Sequence, residues 1–312
     1  MNRRDVLRNL AVLGATASMK SLGGMDVLAQ TVNTEKQGGL PDLVAIMGGE
    51  PAAMLQQALH EVGGIGAYVQ RGHKVAINPN MGWSQKPELG ANTNPDLIAE
   101  LVRQCLSAGA SEVSVFDHTC DEWTSSYKNS GIADAAKAAG AQVLPAHAES
   151  YYRKITLPVG KVLKEALVHQ AILDSDVWFN VPVLKHHGGA NLTIAMKNHM
   201  GIVWDRHFFH RHDLHQCIAD ICSLQKAPTL NIVDAYRVVK TNGPRARSLE
   251  DVVTPKALFL SSDIVAVDTV STRFFNQIRS MPLEHIGHIS KGQDLRLGTM
   301  DTEKLTIKRI KM

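Results

Sequence analysis

Residues 176–217 read DVWFNVPVLKHHGGANLTIAMKNHMGIVWDRHFFHRHDLHQC, and the rest of the chain is read outward from them. The mostly apolar run 177–184 has the length and composition of a strand buried on both faces, as in parallel sheets covered by helices. Lys185, His186 and His187 arrive where that strand should stop. Gly188-Gly189 then makes a turn, and Asn191 to Thr193 reads as the start of a helix that carries Lys197, Asn198 and His199. His207, His210, His212 and His215 follow within nine residues, so half of the chain's 14 histidines fall in this window.

The same rhythm runs on both sides. Strands are predicted at 43–47, 74–77, 112–116, 142–144, 151–157, 230–233, 257–260 and 305–310. Helices are predicted at 51–62, 95–109, 132–139, 162–173 and 213–225, with another led by Asp263. Asn94-Pro95 is a helix start by the cap-then-proline rule, and Gly109 and Gly140 are stops. Apolar strands alternating with amphipathic helices predict an α/β fold, a mostly parallel sheet with helices on both faces. Residues 42–312 are expected to form one α/β domain, preceded by a polar linker at 30–41.

The first residues stand outside this pattern. A paired-arginine segment, Asn2-Arg3-Arg4-Asp5-Val6-Leu7-Arg8, leads a short apolar run and then Val27-Leu28-Ala29. Residues 1–29 resemble a twin-arginine signal peptide, which predicts export to the periplasm. The run is too short to span a bilayer, and no later stretch is long and apolar enough, so no integral membrane segment is expected. The formal charge is +3, and removal of residues 1–29 takes four basic and two acidic residues and leaves +1. A near-neutral chain has no electrostatic footprint for nucleic acid. With 44% hydrophobic and 20% charged residues, the composition is that of a globular protein. Cys105, Cys120, Cys217 and Cys222 include no Cys-x-x-Cys pair, so an iron–sulfur cluster is not expected, and some of them could pair in an oxidising compartment. Gly48-Gly49 and Gly63-Gly64-x-Gly66 are turns and helix stops, since no nucleotide-binding glycine motif follows a strand.

In open α/β sheets ligands sit outside the carboxyl ends of the strands. Collected there are Asn78 and Asn80, Asp117 and His118, Lys185 to His187, and Asp234. Lys185 and Lys197 suit an anionic ligand, a carboxylate or phosphate. The bland alternative is a strand cap and a solvated helix residue. Asp117 and His118 suit proton transfer, or else capping together with Thr119. Cys120 is a further possible nucleophile. His207-x-x-His210 and His212-x-x-His215 have helical spacing, and imidazole is a common ligand of transition metals. His187, His199, His207, His210 and His215 are therefore the candidate metal ligands, though His210 and His212 cannot share one helix face. Asn80, Asn198 and Asp234 are the candidate substrate-binding residues.

Three motifs carry a family resemblance: Val75-Ala-Ile-Asn78-Pro79-Asn80, Asn180-Val-Pro-Val-Leu-Lys185-His-His187 and Thr193-Ile-Ala-Met-Lys197-Asn198-His-Met-Gly201. With Asp234, Gly243-Pro244 and Ser262-Asp263-x-x-Ala266-Val-Asp268, they resemble the domain of unknown function 362 family. The resemblance covers roughly residues 43 to 278. It implies a fold and a site location, sometimes an association with iron–sulfur domains, and no assigned reaction. A more distant similarity to the nickel-pincer lactate racemase group implies metal-dependent chemistry on hydroxy acids. Asn78 stands where the family often has lysine, which removes one cation from the crevice, and the cysteine-rich segment of many members is missing.

Together these features predict an exported enzyme, an isomerase or oxidoreductase, acting on a small carboxylate with a divalent transition metal. Lys185 and Lys197 would hold the substrate, and Asp117 or His118 would move a proton. The alternatives are an accessory protein that binds a metal or anion, and a subunit of a periplasmic redox complex with a partner subunit.

Overall fold

The computed structural model describes residues 39–312; the signal-like segment and most of the predicted linker lie outside them. In chain order the strands are β1 (Leu43–Met47), β2 (Lys74–Pro79), β3 (Glu112–Val115), β4 (Gln142–Val143), β5 (Tyr152–Thr156), β6 (Glu165–His169), β7 (Val177–Val181), β8 (Val183–His187), β9 (Asn191–Thr193), β10 (Leu230–Val239), β11 (Val252–Val253), β12 (Ala257–Ser261) and β13 (Ile307–Lys311). The α-helices are α1 (Pro51–Glu61), α2 (Pro95–Ser107), α3 (Trp123–Asn129), α4 (Ile132–Ala138), α5 (Gln170–Asp174), α6 (Ala195–Asn198), α7 (Arg206–Arg211), α8 (Leu214–Ile221), α9 (Ile264–Ile278) and α10 (Gly287–Asp294).

The main sheet runs β13-β1-β12-β10-β7-β2-β3-β4. From β10 outward to β4 every pairing is parallel, and β12 alone runs against both β1 and β10. Alternation along β12 shows how both faces are covered. Leu258 and Leu260 join Met54 and Leu55 of α1 and Leu97 and Leu101 of α2 in one core cluster. Phe259 points the other way, onto Phe274 of α9, with ring centroids 5.2 Å apart. Helix starts follow the capping chemistry of the sequence: the Asn94 side chain accepts from Asp96 N at 2.9 Å, and Asp263 from Ala266 N at 2.8 Å.

Several predicted elements are corrected. The run 177–184 is two strands, not one. Pro182 has no N–H to give to a ladder, so β7 ends at Val181 and β8 resumes at Val183, pairing further along the long strand β10. Lys185 therefore sits inside β8 rather than at its end. Gly188-Gly189 closes a hairpin, because Asn191–Thr193 returns as β9 against Lys185–His187; the helix carrying Lys197 begins only at Ala195. The predicted helix at 162–173 is strand β6, paired antiparallel with β5 in a separate two-stranded sheet, followed by the short helix α5, so only its end is helical. All four cysteines are free. No helix among the described residues is long and apolar enough to cross a membrane.

Candidate functional site

The loops after β2 and β3, the β8–β9 hairpin, α6 and α7 enclose a cleft of about 820 Å³. Lys185, Lys197, Asp117, His118, Asn80, Asn198, His187, His207 and His210 all line it, as do Trp83, Cys120, Trp204 and Arg206.

Its inner wall is wired by side-chain amides. Lys185, 1% exposed, donates to Asn80 Oδ1 at 2.8 Å and to the Ala91 carbonyl. A lysine ammonium offers only donors, so Asn80 must present its oxygen and turn its NH2 onward. That NH2 donates to Asn198 Oδ1 at 2.9 Å, Asn198 Nδ2 to Asn180 Oδ1 at 2.9 Å, and Asn180 Nδ2 to Asn231 Oδ1 at 2.9 Å. Four asparagines, from the loop after β2 and from α6, β7 and β10, thus run donor to acceptor across the sheet, with their orientation set from the lysine end. Buried polar groups of this kind are tolerable only when every member is paired, and here each link is made.

Helix α6 is held from behind by Asp268 of α9. Its carboxylate accepts from Ala195 N at 2.8 Å and Met196 N at 3.0 Å, at the positive end of the helix. In front, Gly201 approaches Asp117 so closely that a Cβ there would lie 2.0 Å from Oδ1, and His118 N donates to Gly201 O at 2.9 Å. A residue without a side chain is required at 201. Asp117 in turn accepts from Met81 N at 2.6 Å through its other oxygen.

The two histidines deepest in the cleft are in opposite tautomers, as their partners dictate. His118 Nδ1 meets the Val203 carbonyl at 2.8 Å and must donate, which leaves Nε2 as an acceptor; the ring stacks on Trp204 at 5.1 Å. His187 Nδ1 receives the N–H groups of Gly189 and Ala190, both at 3.1 Å, so its proton is on Nε2. One histidine is a base and the other a donor.

Burial shapes the charges. It pushes Asp117 up to about 7, against the hydrogen bond from Met81 and the charges of Arg206 and Lys185. It lowers Lys185 to about 7, helped by the charge of Lys197, and Lys197 to about 8, helped by Arg206. His118 falls to about 4, and His187 lies well below the usual imidazole range, through burial and then the two lysines. Lys197, half-buried, makes no hydrogen bond or ion pair among the described residues. Its charge is coupled to Cys120, Arg206 and Asp117.

Three predicted site residues are elsewhere. Asp234 lies within β10, because that strand continues to Val239. Its oxygens accept from Asn94 N at 2.7 Å and Tyr236 N at 2.9 Å, a structural anchor for the start of α2. His199 is 1% exposed, with Nδ1 on the Ala195 carbonyl at 3.1 Å and its ring edge against Trp178. His215 pairs with His288, Nδ1 to Nδ1 at 3.0 Å, away from the cleft.

A metal held by protein side chains alone does not fit this arrangement. No three His, Cys, Asp or Glu among the described residues come together as ligands. The Nδ1 lone pair of His187 is occupied by backbone and its Nε2 carries a proton, while His207 and His210 are exposed at the rim. Lys185, Lys197 and Arg206 make the cleft cationic, and such charges attract anions and repel a divalent ion.

Arg206 was invisible to pattern reasoning. It donates to the carbonyls of His118, at 2.8 Å, and Thr119, and to Cys120 Sγ at 3.1 Å, and so clamps the loop after β3 onto α7. Nothing in its local sequence separates it from a solvated helix-start arginine.

The family described as Domain of unknown function (DUF362) matches residues 75–273. The chain belongs to this family. The DUF362 match spans every cleft residue from Asn80 to Pro244. The thylakoid-associated protein sll1697 of Synechocystis is 23% identical over 231 residues, covering 72% of this chain and 70% of that protein. Among solved structures, the lactate racemase apoprotein of Thermoanaerobacterium thermosaccharolyticum shares the fold, with a TM-score of 0.50 at 13% identity over 75% of this chain. The alignment spans 57% of the racemase chain.

Proposed function

We propose that this DUF362 protein is an enzyme that binds a small carboxylate, a hydroxy or oxo acid, and moves a proton on it, as an isomerase does. The observation that carries this reading is the convergence of Lys185, Lys197, Arg206 and the Nε2 donor of His187 on one cleft. Charge-assisted donors of this kind suit a carboxylate. Around them stand groups suited to proton transfer. Asp117 and Lys197 titrate near neutrality, at about 7 and about 8, and His118 offers a free Nε2 lone pair. The racemase-like fold agrees with a carboxylate as the ligand class. No group of three His, Cys, Asp or Glu among the described residues could hold a metal by side chains alone, so no step is routed through one.

Deuterium wash-in followed by NMR tests it. Lactate and pyruvate are each incubated with the protein in D2O; exchange of a substrate C–H that is lost in Lys197→Gln supports the reading. Titration calorimetry showing no carboxylate binding would exclude it.

The paired arginines Arg3 and Arg4 support export by the twin-arginine route. Expressed in a bacterium with that system, the wild-type chain is expected in the periplasm and an Arg3→Lys/Arg4→Lys double variant in the cytoplasm. Equal distribution of the two would refute export by this route.

A further inference from the structure

The two lysines of the cleft are not equivalent. Lys185 has two acceptors, Asn80 Oδ1 and the Ala91 carbonyl, and is locked by them. Lys197 has no acceptor among the described residues, although an ammonium normally recruits one. Yet its backbone is among the best-fixed segments of the site. Asp268 holds the two residues before it, and Asn198, directly after it, is bound to Asn180, Asn80 and Asn78. A rigid stem thus presents a free amine to a cleft whose size suits a small ligand.

We propose that Lys197 is a nucleophile that forms an imine with the carbonyl carbon of a small oxo-carboxylate held in the cleft. This narrows the carboxylate reading above and rests on it. The Lys197 Nζ lone pair attacks the carbonyl carbon, the C–N bond forms, and the C–O π pair moves to oxygen. The two protons of the amine end on that oxygen, which leaves as water as the C=N bond closes. Asp117 and Lys185 line the same cleft as the amine and can hold and return these protons. Burial, and then the neighbouring charge of Arg206, favour a neutral amine. An amine near 8 is neutral in roughly one molecule in ten at pH 7, whereas an exposed lysine near 10.4 is neutral in fewer than about one in a thousand. Once protonated, the imine draws electrons from the adjacent carbon and acidifies its C–H, the proton transfer the cleft is otherwise arranged for.

The test is reductive trapping on the full chain. The protein is incubated with pyruvate and sodium cyanoborohydride at pH 7.5, digested and mapped by mass spectrometry, with pyruvate binding followed in parallel by calorimetry. The expected result is a reduced adduct at Lys197 formed at least about tenfold faster than at any surface lysine. It should be absent in Lys197→Arg, which keeps the charge but cannot form the imine. Adduct spread evenly over surface lysines, or retained elsewhere in the cleft of Lys197→Arg, overturns the proposal. Pyruvate binding without a Lys197 adduct overturns the imine and leaves the carboxylate cleft standing; neither binding nor adduct overturns both. The wild-type map decides the question even where a variant fails to fold.

Discussion

The two halves of residues 176–217 are built on different principles. From Val177 to Gly201 most polar side chains, Lys197 apart, are buried or part-buried and paired: Asn180, Lys185, Asn198 and the backbone of α6 all have partners far away in the chain. From Asp205 to His215 polar side chains are mostly exposed and, Arg206 and His215 apart, bonded locally. Asp205 caps its own helix through Phe208 N, Asp213 does the same through Gln216 N, and His212 folds back on the Phe208 carbonyl and ring. A dense run of histidines therefore marks a rim, and a sparse pair of lysines marks the working wall. Residue density is a poor guide to a site; long-range pairing of buried polar groups is a better one.

The contrast can be broken most violently in the first half. Asn198→Asp keeps the shape but replaces the NH2 that donates to Asn180 Oδ1 and Asn78 O with an oxygen. Acceptor would then face acceptor in a buried site, at a cost of roughly 3–5 kcal/mol in urea unfolding. Gly201→Ala sets a methyl against Asp117 Oδ1 and is expected to cost about 1–3 kcal/mol, with loss of any activity that needs Asp117 in place. Asp268→Asn leaves one oxygen for two helix N–H groups and should cost about 1–2 kcal/mol. His207→Ala and His210→Ala, on the rim, should each stay within about 0.5 kcal/mol. Equal losses in the two halves would erase the distinction.

A pH series sharpens it. Lys185 and Lys197 have lowered values, so they are charged below about 7 and about 8 and neutral above; Asp117 has a raised value and becomes negative above about 7. All three changes act in one direction. Carboxylate affinity should fall by roughly tenfold or more from pH 6 to pH 9, the loss of at least one charge-assisted contact. Binding near pH 7.5 should also take up protons, seen as a dependence of calorimetric heat on the buffer's ionisation enthalpy. Affinity that is flat or rises with pH would contradict the cationic wall.

Much of this was legible beforehand. The strand–helix rhythm, the Asn94-Pro95 start and the Asp263 cap rest on local chemistry, and local chemistry is what a sequence states. Asn80 and Asp117 are legible because strand ends in α/β sheets converge, and Lys185 and Lys197 as two cations flanking one glycine turn. What failed depended on pairing. Whether 177–184 is one strand or two depends on β10 being long enough to continue past Pro182. The same extension took Asp234 out of the crevice. The tautomers of His118 and His187, which make His118 a base and turn His187 from ligand candidate into donor, are set by carbonyls and amides that no spacing reveals. Arg206 had no local signal at all.

The most direct measurement sets the two halves against each other in one assay. Pyruvate is titrated by calorimetry into the wild type, a Lys185→Met/Lys197→Met double variant and a His207→Ala/His210→Ala double variant, each checked for folding by circular dichroism. Loss of two charge-assisted contacts should weaken binding about 100-fold or more in the lysine variant, while the histidine variant should stay within about threefold of wild type. Binding that survives without the lysines and vanishes without the histidines would contradict the account.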